Sequence, residues 1–508
     1  MRTKNSFFNL ITSIIPFAVF VILGFLKVKV WQAKMDENIY ALNQLFFQLF
    51  AYLSIAEAGI GAIIQKKYYS LLIDKDTESI CKYYTLSKKM LRKICYIIFT
   101  AGIVLSFFLT YLAKGNTLSL FYMQEIFVLF LIKSLVEYFM FSPRFLLTAD
   151  QKLYKMNLQN YAYKIAETVM EIILIYVGVS YLLVLVCSIV LRIIMNLRLN
   201  RIVFKEYPWL KEIKPDKDMS LKGMSDIFIF KIISVVQENV GALLISAFIN
   251  PISVIIYSNY KYITKYLNDF IYQSGVAITA SLGNLVNEKN DDNRALETFG
   301  EITTLYYFTA SFFTLALAFC INPFISIWVG KNKVLDNISL LCLLFVFFHS
   351  VARRPLYIIK DVMVLYKELQ LNSAIEAVVT VILSLILIKL NWGIKGVLIA
   401  AAVSPVLVSF IYMPKVVYKK AFNCKPWNDL LKYAFNIAII IIIQGIGTLM
   451  PFRVSDNGFV MWFITSCVAA LILLVLLGII YFCTFKSFRK LLETGKYTLQ
   501  SIIKNKNQ

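Results

Sequence analysis

The chain alternates between long apolar runs and short polar gaps. Mostly apolar residues fill 7–26, 42–64, 94–113, 121–142, 159–179, 181–203, 226–249, 253–283, 302–328, 336–357, 372–390, 393–414, 431–450 and 459–484. The hydrocarbon core of a bilayer is crossed by about 20 apolar residues in a helix. Lipid offers a backbone no hydrogen bonds, so a spanning segment must be a helix or part of a closed barrel. These runs are continuous, unlike the ten-residue alternating segments of a barrel. They predict an all-α integral membrane protein with about fourteen transmembrane helices. The opening run is too long for a signal peptide and lacks a small-residue cleavage site, so it reads as an uncleaved first span.

Charge in the gaps sets the orientation. Alternate gaps carry Arg2 and Lys4, the run from Lys66 to Lys93, Arg144, Lys152 and Lys155, and the run from Arg198 to Lys222. The series continues through Lys289 and Arg294, then Arg353, Arg354, Lys360 and Lys367, then Lys415 to Lys425, and ends in the tail from Lys486 to Lys506. The other gaps hold few: Lys27, Lys29, Lys34, Lys114, Lys331, Lys333, Lys389 and Arg453. Lys and Arg concentrate on the cytoplasmic side, which predicts an even span number with both termini cytoplasmic. The gap 204–225, with Pro208 and Pro215, predicts a linker between lobes. The expected organisation is an N-lobe 1–203, the linker 204–225, a C-lobe 226–420, and 421–508 holding two further spans and a basic amphipathic tail. The stretch 65–93 places Tyr68, Leu72, Ile80 and Tyr84 at helical spacing among charges, the pattern of a helix lying on the inner membrane surface; the tail after Phe485 repeats it with Phe488, Leu491 and Leu492.

A shift of about 210 residues aligns Ile165-Ala166-Glu167-Thr168-Val169 with Ala374-Ile375-Glu376-Ala377-Val378, each followed by a turn near Gly178 or Gly393. Asn43 precedes Gly59 as Asn259 precedes Gly275. Six spans separate the copies, an even number, so the repeats are expected to be parallel, about an axis along the membrane normal.

Composition narrows the function classes. The 508 residues are 59% hydrophobic and 16% charged, against about 45–50% and 25% in soluble domains. A net charge of +22 fits cytoplasmic loops facing anionic membrane lipids, not nucleic acid. The eight cysteines form no CxxC pair and His349 is the single histidine, so no metal site is expected. No phosphate-binding Gly-rich loop is present, and Gly59-Ile60-Gly61 lacks the rest of a dinucleotide fingerprint. No catalytic residue, metal or cofactor is expected, and the chain reads as a non-enzyme.

Charge at membrane depth is the remaining signal. An ionised side chain at a span centre costs about 2.5–3.5 kcal/mol and normally faces a partner or a cavity. Within or near the spans lie Glu57, Glu137, Glu167, Glu171, Asp226, Lys231, Glu238, Lys261, Lys265, Asp269, Arg353, Arg354 and Glu376. Asp226 and Glu376 can snorkel from a span end, and Lys265 and Asp269 share a helical face. The richest runs are 226–249 and 253–283. Lysines in a cavity suit an anionic group such as a diphosphate, and the nearby Tyr257, Tyr260, Tyr262 and Tyr266 suit sugar rings or an interface. The candidate substrate-binding residues are Lys231, Lys261, Lys265, Glu57, Asn259, Arg353, Arg354 and Lys360.

Several segments resemble the polysaccharide-biosynthesis, or O-antigen-type, flippases of the multidrug/oligosaccharidyl-lipid/polysaccharide exporter superfamily. They are Leu42-Asn43-Gln44-Leu45-Phe46, Leu53-Ser54-Ile55-Ala56-Glu57-Ala58-Gly59-Ile60-Gly61 running into Tyr68-Tyr69, and Leu244-Ile245-Ser246 with Phe248-Ile249. Tyr257-Ser258-Asn259-Tyr260, Ser281-Leu282-Gly283-Asn284, Ile327-Trp328-Val329-Gly330, Arg354-Pro355 and Lys360-Asp361 complete them. Gly241-Ala242 departs from the pattern where relatives often carry an Asp. The resemblance implies two six-helix lobes around a central cavity plus two C-terminal helices. It also implies transfer of an undecaprenyl-diphosphate-linked oligosaccharide across a bacterial plasma membrane, with a polysaccharide polymerase as a possible partner. The alternatives are an ion-coupled drug/cation antiporter of the same superfamily, expected to have an acidic cavity, a polymerase or ligase, expected to have a long outward loop, and a non-transporting scaffold, in which buried charge has no use.

Overall fold

The computed structural model describes residues 2–51, 64, 67–150, 152, 154–216, 219, 225–274, 292–449 and 453–493. It divides into two compact units, Met1–Ser258 and Asn259–Gln508. The first contains α1 (Arg2–Lys34), α2 (Glu37–Ala51), α3 (Thr77–Ser106), α4 (Leu109–Leu112), α5 (Leu120–Met140), α6 (Arg144–Ala149), α7 (Tyr154–Tyr176), α8 (Tyr181–Glu206) and α9 (Ser225–Phe248). α10 (Pro251–Ser274) carries the boundary between the units. The second continues with α11 (Asp292–Val329), α12 (Asn337–Ala352), α13 (Arg354–Val362), α14 (Tyr366–Lys389), α15 (Gly393–Val408), α16 (Tyr412–Phe422), α17 (Trp427–Leu449) and α18 (Phe459–Thr484). Each apolar run of the sequence falls mainly on helix where it is described.

Among the described residues, six helices are long and apolar enough to cross a membrane by length and composition, or up to eight when each bent pair counts as one span. The bent pairs are α12 with α13, at 42°, and α15 with α16, at 44°. Several remaining runs fall short of that standard because they carry charge inside them: Glu125, Lys133 and Glu137 in α5, Lys164, Glu167 and Glu171 in α7, Lys261, Lys265 and Asp269 in α10.

Local chemistry sets the helix ends. Asp76 and Asp336 cap α3 and α12, each accepting from the amide three residues on, at 2.9 and 3.1 Å, which satisfies donors a helix start leaves open. Two sharp turns occur where the sequence predicts them. After α7, Gly178 is left-handed (φ 86°) and the Val179 amide bonds back to Leu174 O at 2.9 Å. After α14 the equivalent bond runs from the Trp392 amide to Leu387 O at 3.1 Å. Two residues of that turn are left-handed, Asn391 (φ 62°) just past the helix and Gly393 (φ 54°) at the start of the next. Asn tolerates that conformation better than other side chains.

Helix pairings recur between the units at the predicted six-span shift. α3 packs on α5 as α11 packs on α12, α5 on α8 as α12 on α15, and α7 on α8 as α14 on α15. The short helices that follow repeat it, α6 on α8 and α13 on α16.

The stretch 65–93 differs from expectation. Tyr68, Ile80 and Tyr84 are buried, packed with Phe145, Leu146, Val203 and Tyr207, so the apolar stripe faces protein rather than lipid. Lys82, Thr85 and Lys88 of the same helix reach residues 212–216. Lys82 pairs with Asp216 at 3.0 Å, Lys88 pairs with Glu212, and the Ile213 amide donates to Thr85 Oγ1 at 3.0 Å. Residues 212–216 are therefore docked along the start of α3. In the tail, Phe488 is buried against Phe308 and Tyr481.

Candidate functional site

In the first unit, six charged side chains from four helices form one chain of alternating sign. Glu171 and Glu167 stand one turn apart on α7. Glu171 accepts from Lys27 of α1, from Lys133 of α5 at 3.2 Å, and from Ser188 of α8 at 3.0 Å. Lys133 also pairs with Glu167 at 2.5 Å. Glu167 continues to Arg192 of α8 at 3.5 Å, and Arg192 reaches Glu137 of α5 at 3.3 Å. The order is Lys27, Glu171, Lys133, Glu167, Arg192, Glu137. Side-chain exposure rises from 4% at Glu171 through 10% at Glu167 to 36% at Glu137.

Aromatic rings hold the two cationic flanks. The Lys27 ammonium lies 4.2 Å from the Trp31 ring centroid. Arg192 Nε donates to the Tyr163 hydroxyl at 2.6 Å. Three acids and three bases leave the group formally neutral, which is how charge is accommodated at membrane depth. Lys133, between two carboxylates, can shift its weight from one to the other without leaving an ion bare.

Sequence reasoning named Glu137, Glu167 and Glu171 but missed their partners. Lys27 falls on α1, not in an outward gap. Lys133 and Arg192 sit in the middle of the runs 121–142 and 181–203, and that position was the available signal.

The second unit centres on Arg353, at the bend between α12 and α13. Its Nη1 donates to Asp429 Oδ2 at 2.6 Å and its Nη2 to the Phe410 carbonyl at 3.3 Å. The guanidinium lies 4.3 Å from the Tyr433 ring centroid. Tyr307 donates to Asp429 Oδ1 at 2.9 Å, and His349 Nδ1 and the Tyr433 hydroxyl are 2.8 Å apart. Arg144 is the counterpart in the first unit. It is also fully buried, follows a long helix, and donates to Asn196 of α8. Neither Asp429 nor the repeat of this arginine was read from the sequence.

The remaining candidates lie on α9, α10 and α13 where they are described. Arg354 stacks on Tyr272 at 3.8 Å. Lys360 is buried, pairs with Asp361 at 3.0 Å and lies 4.9 Å from the Tyr366 ring. Asn259 is buried, Lys261 half-buried and Lys265 exposed on α10. Lys231 lies on α9, its side chain outside what is described, and Glu57 lies outside the described residues. No cluster of His, Cys, Asp or Glu with metal-binding geometry occurs among the described residues.

By sequence, no protein-family model and no curated protein matches the chain. By structure, it is similar to the inward closed conformation of the lipid II flippase MurJ, with a TM-score of 0.63 at 16% identity, covering 92% of this chain and 98% of that one. It is similar to a mutant MATE protein, with a TM-score of 0.58 at 15% identity over 87% and 97% of the two chains. An outward-facing multidrug resistance MATE family transporter of the MOP superfamily gives 0.55 at 15% identity over 86% and 96%. The chain shares the fold of these membrane transporters. It is a multi-pass, all-helical membrane protein.

Proposed function

We propose that the protein is a flippase that moves an undecaprenyl-diphosphate-linked oligosaccharide repeat unit from the inner to the outer leaflet of a bacterial plasma membrane. The observation that carries this reading is the shared fold, which extends over 92% of the chain to a lipid II flippase. The charge arrangement supports it. A diphosphate cannot cross hydrocarbon unaided, because an unpaired ion there is prohibitively costly. Lys231, Lys261 and Lys265 are the cations proposed to meet the diphosphate, with Arg354, Lys360, Asn259 and Glu57 as further polar groups on its path. On this reading both termini are cytoplasmic, and a polysaccharide polymerase takes up the product.

The MATE neighbours carry the rival reading, export of cationic drugs against an ion gradient. The buried chain of the first unit weighs against it: every acid there is matched by a base, so it presents no net negative charge to a cation. Deleting the protein tests the choice. Lipid-linked repeat units should accumulate on the cytoplasmic leaflet, while sensitivity to cationic drugs stays at the parental level. Normal surface polysaccharide together with increased drug sensitivity would establish the antiporter instead.

A further inference from the structure

The first unit carries an apolar groove on its outer surface, with a volume of about 450 Å³, between α3, α5 and α8. Tyr96 and Phe99 of α3, Ile132, Leu135 and Phe139 of α5, and Ile193 of α8 line it. Its size falls within the range of about 300–1,000 Å³ typical of small-molecule sites. One end is charged. Arg92 lies one turn before Tyr96, and its guanidinium sits 5.0 Å from the Phe139 ring centroid. Arg92 Nε is buried and has no hydrogen-bond partner in the structure. Glu212 is close enough to feel the Arg92 charge, but the Glu212 carboxylate is taken by Lys88. Lys89 and Lys93 flank Arg92 and are exposed.

We propose that this groove binds one resident anionic phospholipid, with a hydrocarbon chain along the apolar lining and the phosphate at Arg92. Three observations converge. The lining is apolar, so it suits a chain and not a sugar. Arg92 at its mouth keeps a buried N–H donor without a hydrogen-bond partner, and a guanidinium offers a phosphate bidentate hydrogen bonds. The charge alternation along the sequence puts this end of α3 at the cytoplasmic face, where anionic lipids attract basic residues. None of the lysines proposed to meet the substrate is among the residues that line the groove, so a resident lipid is compatible with either cargo.

Native mass spectrometry of the full-length protein, relipidated with phosphatidylglycerol or with phosphatidylcholine, tests it. The parental protein should retain one phosphatidylglycerol in preference to phosphatidylcholine. Arg92→Gln should weaken that retention about fivefold, the effect of one basic residue near an anionic lipid, and Arg92→Lys should keep most of it. Ile132→Trp, which fills the groove, should abolish retention with Arg92 intact; this variant decides the matter if Arg92→Gln does not fold. Equal retention of the two lipids by the parental protein, or undiminished phosphatidylglycerol on the Ile132→Trp protein, would overturn the proposal.

Discussion

Arg353 and Asp429 form an ion pair, 2.6 Å between Nη1 and Oδ2, in which the two side chains are 2% and 1% exposed. The pair ties the bend between α12 and α13 to the start of α17, and Tyr307 of α11 joins it through the same carboxylate. Removing one partner of a buried pair strands the other charge at a cost of about 3–5 kcal/mol. Asp429→Leu and Arg353→Met should each lower stability in detergent by that order. The double replacement Arg353→Met with Asp429→Leu should be milder than either single change. Denaturant unfolding of the four proteins as a cycle measures the coupling. Additive losses would show that the two residues do not act as a pair.

The chain of six charges in the first unit makes a different prediction. Lys133 is the link between Glu167 and Glu171, at 2.5 and 3.2 Å. Lys133→Gln leaves two carboxylates one turn apart, with Lys27 and Arg192 alone to balance three acids. Transport should fall at least tenfold, about 1.4 kcal/mol, while the protein still inserts. Pairing Lys133→Gln with Glu167→Gln restores neutrality and should recover part of the loss. Export assays on the parental, single and double variants check this. A double variant no better than the single would mean that the position of Lys133, not charge balance, is what matters.

Most of the helical scaffold could be read from the sequence, because apolar runs of span length and the positive charge between them are one-dimensional signals. The turns at Gly178 and near Gly393 were legible from their glycines; Gly393 is left-handed (φ 54°), and Asn391 adds a second left-handed residue that the sequence did not flag. Partners across helices were not legible. Nothing in one dimension links Lys27 to Glu171, 144 positions away, and Lys27 looks like a loop charge until α1 is seen to run to Lys34. Asp429 was hidden similarly, beside the start of an apolar run where a charge reads as interfacial. Tyr68, Ile80 and Tyr84 show the converse: an amphipathic stripe gives the helix but not whether protein or lipid covers it.

The docked segment 212–216 should respond to acid. Glu212 lies outside the spans, and its hydrogen bond from Lys88 holds its carboxyl below the usual carboxylate range. A lowered folded pKa contributes stability that is fully present above the unfolded value, about 4.3, and is lost as pH falls through the folded value. Glu212 is half exposed, so the contribution is about 0–1 kcal/mol and screened by salt. Limited proteolysis within 204–216 should speed up modestly below about pH 4. Glu212→Gln should show the faster cleavage already at pH 7 and little further change on acidification. Identical pH profiles for the two proteins would remove Glu212 from the docking contacts.

The three lysines of α9 and α10 carry the mechanistic prediction. Lys261 is half-buried and Lys265 exposed on one helix, and both lie within an apolar run where an ammonium without a hydrated partner is costly. If they meet a diphosphate, charge matters more than side-chain shape. Lys231→Gln, Lys261→Gln and Lys265→Gln should therefore cut flipping while insertion and abundance stay parental, and the Arg replacements should be milder. Lys265 has a competing explanation in Asp269, one turn along the same helical face. In that case its role is structural, and Asp269→Asn should damage export as much as Lys265→Gln. The two readings separate cleanly: a diphosphate contact predicts that Asp269→Asn is tolerated, because it leaves the cation in place. Surface polysaccharide measured in cells carrying each variant decides between them. Parental export by the triple Lys→Gln protein would exclude all three lysines from the path of the substrate.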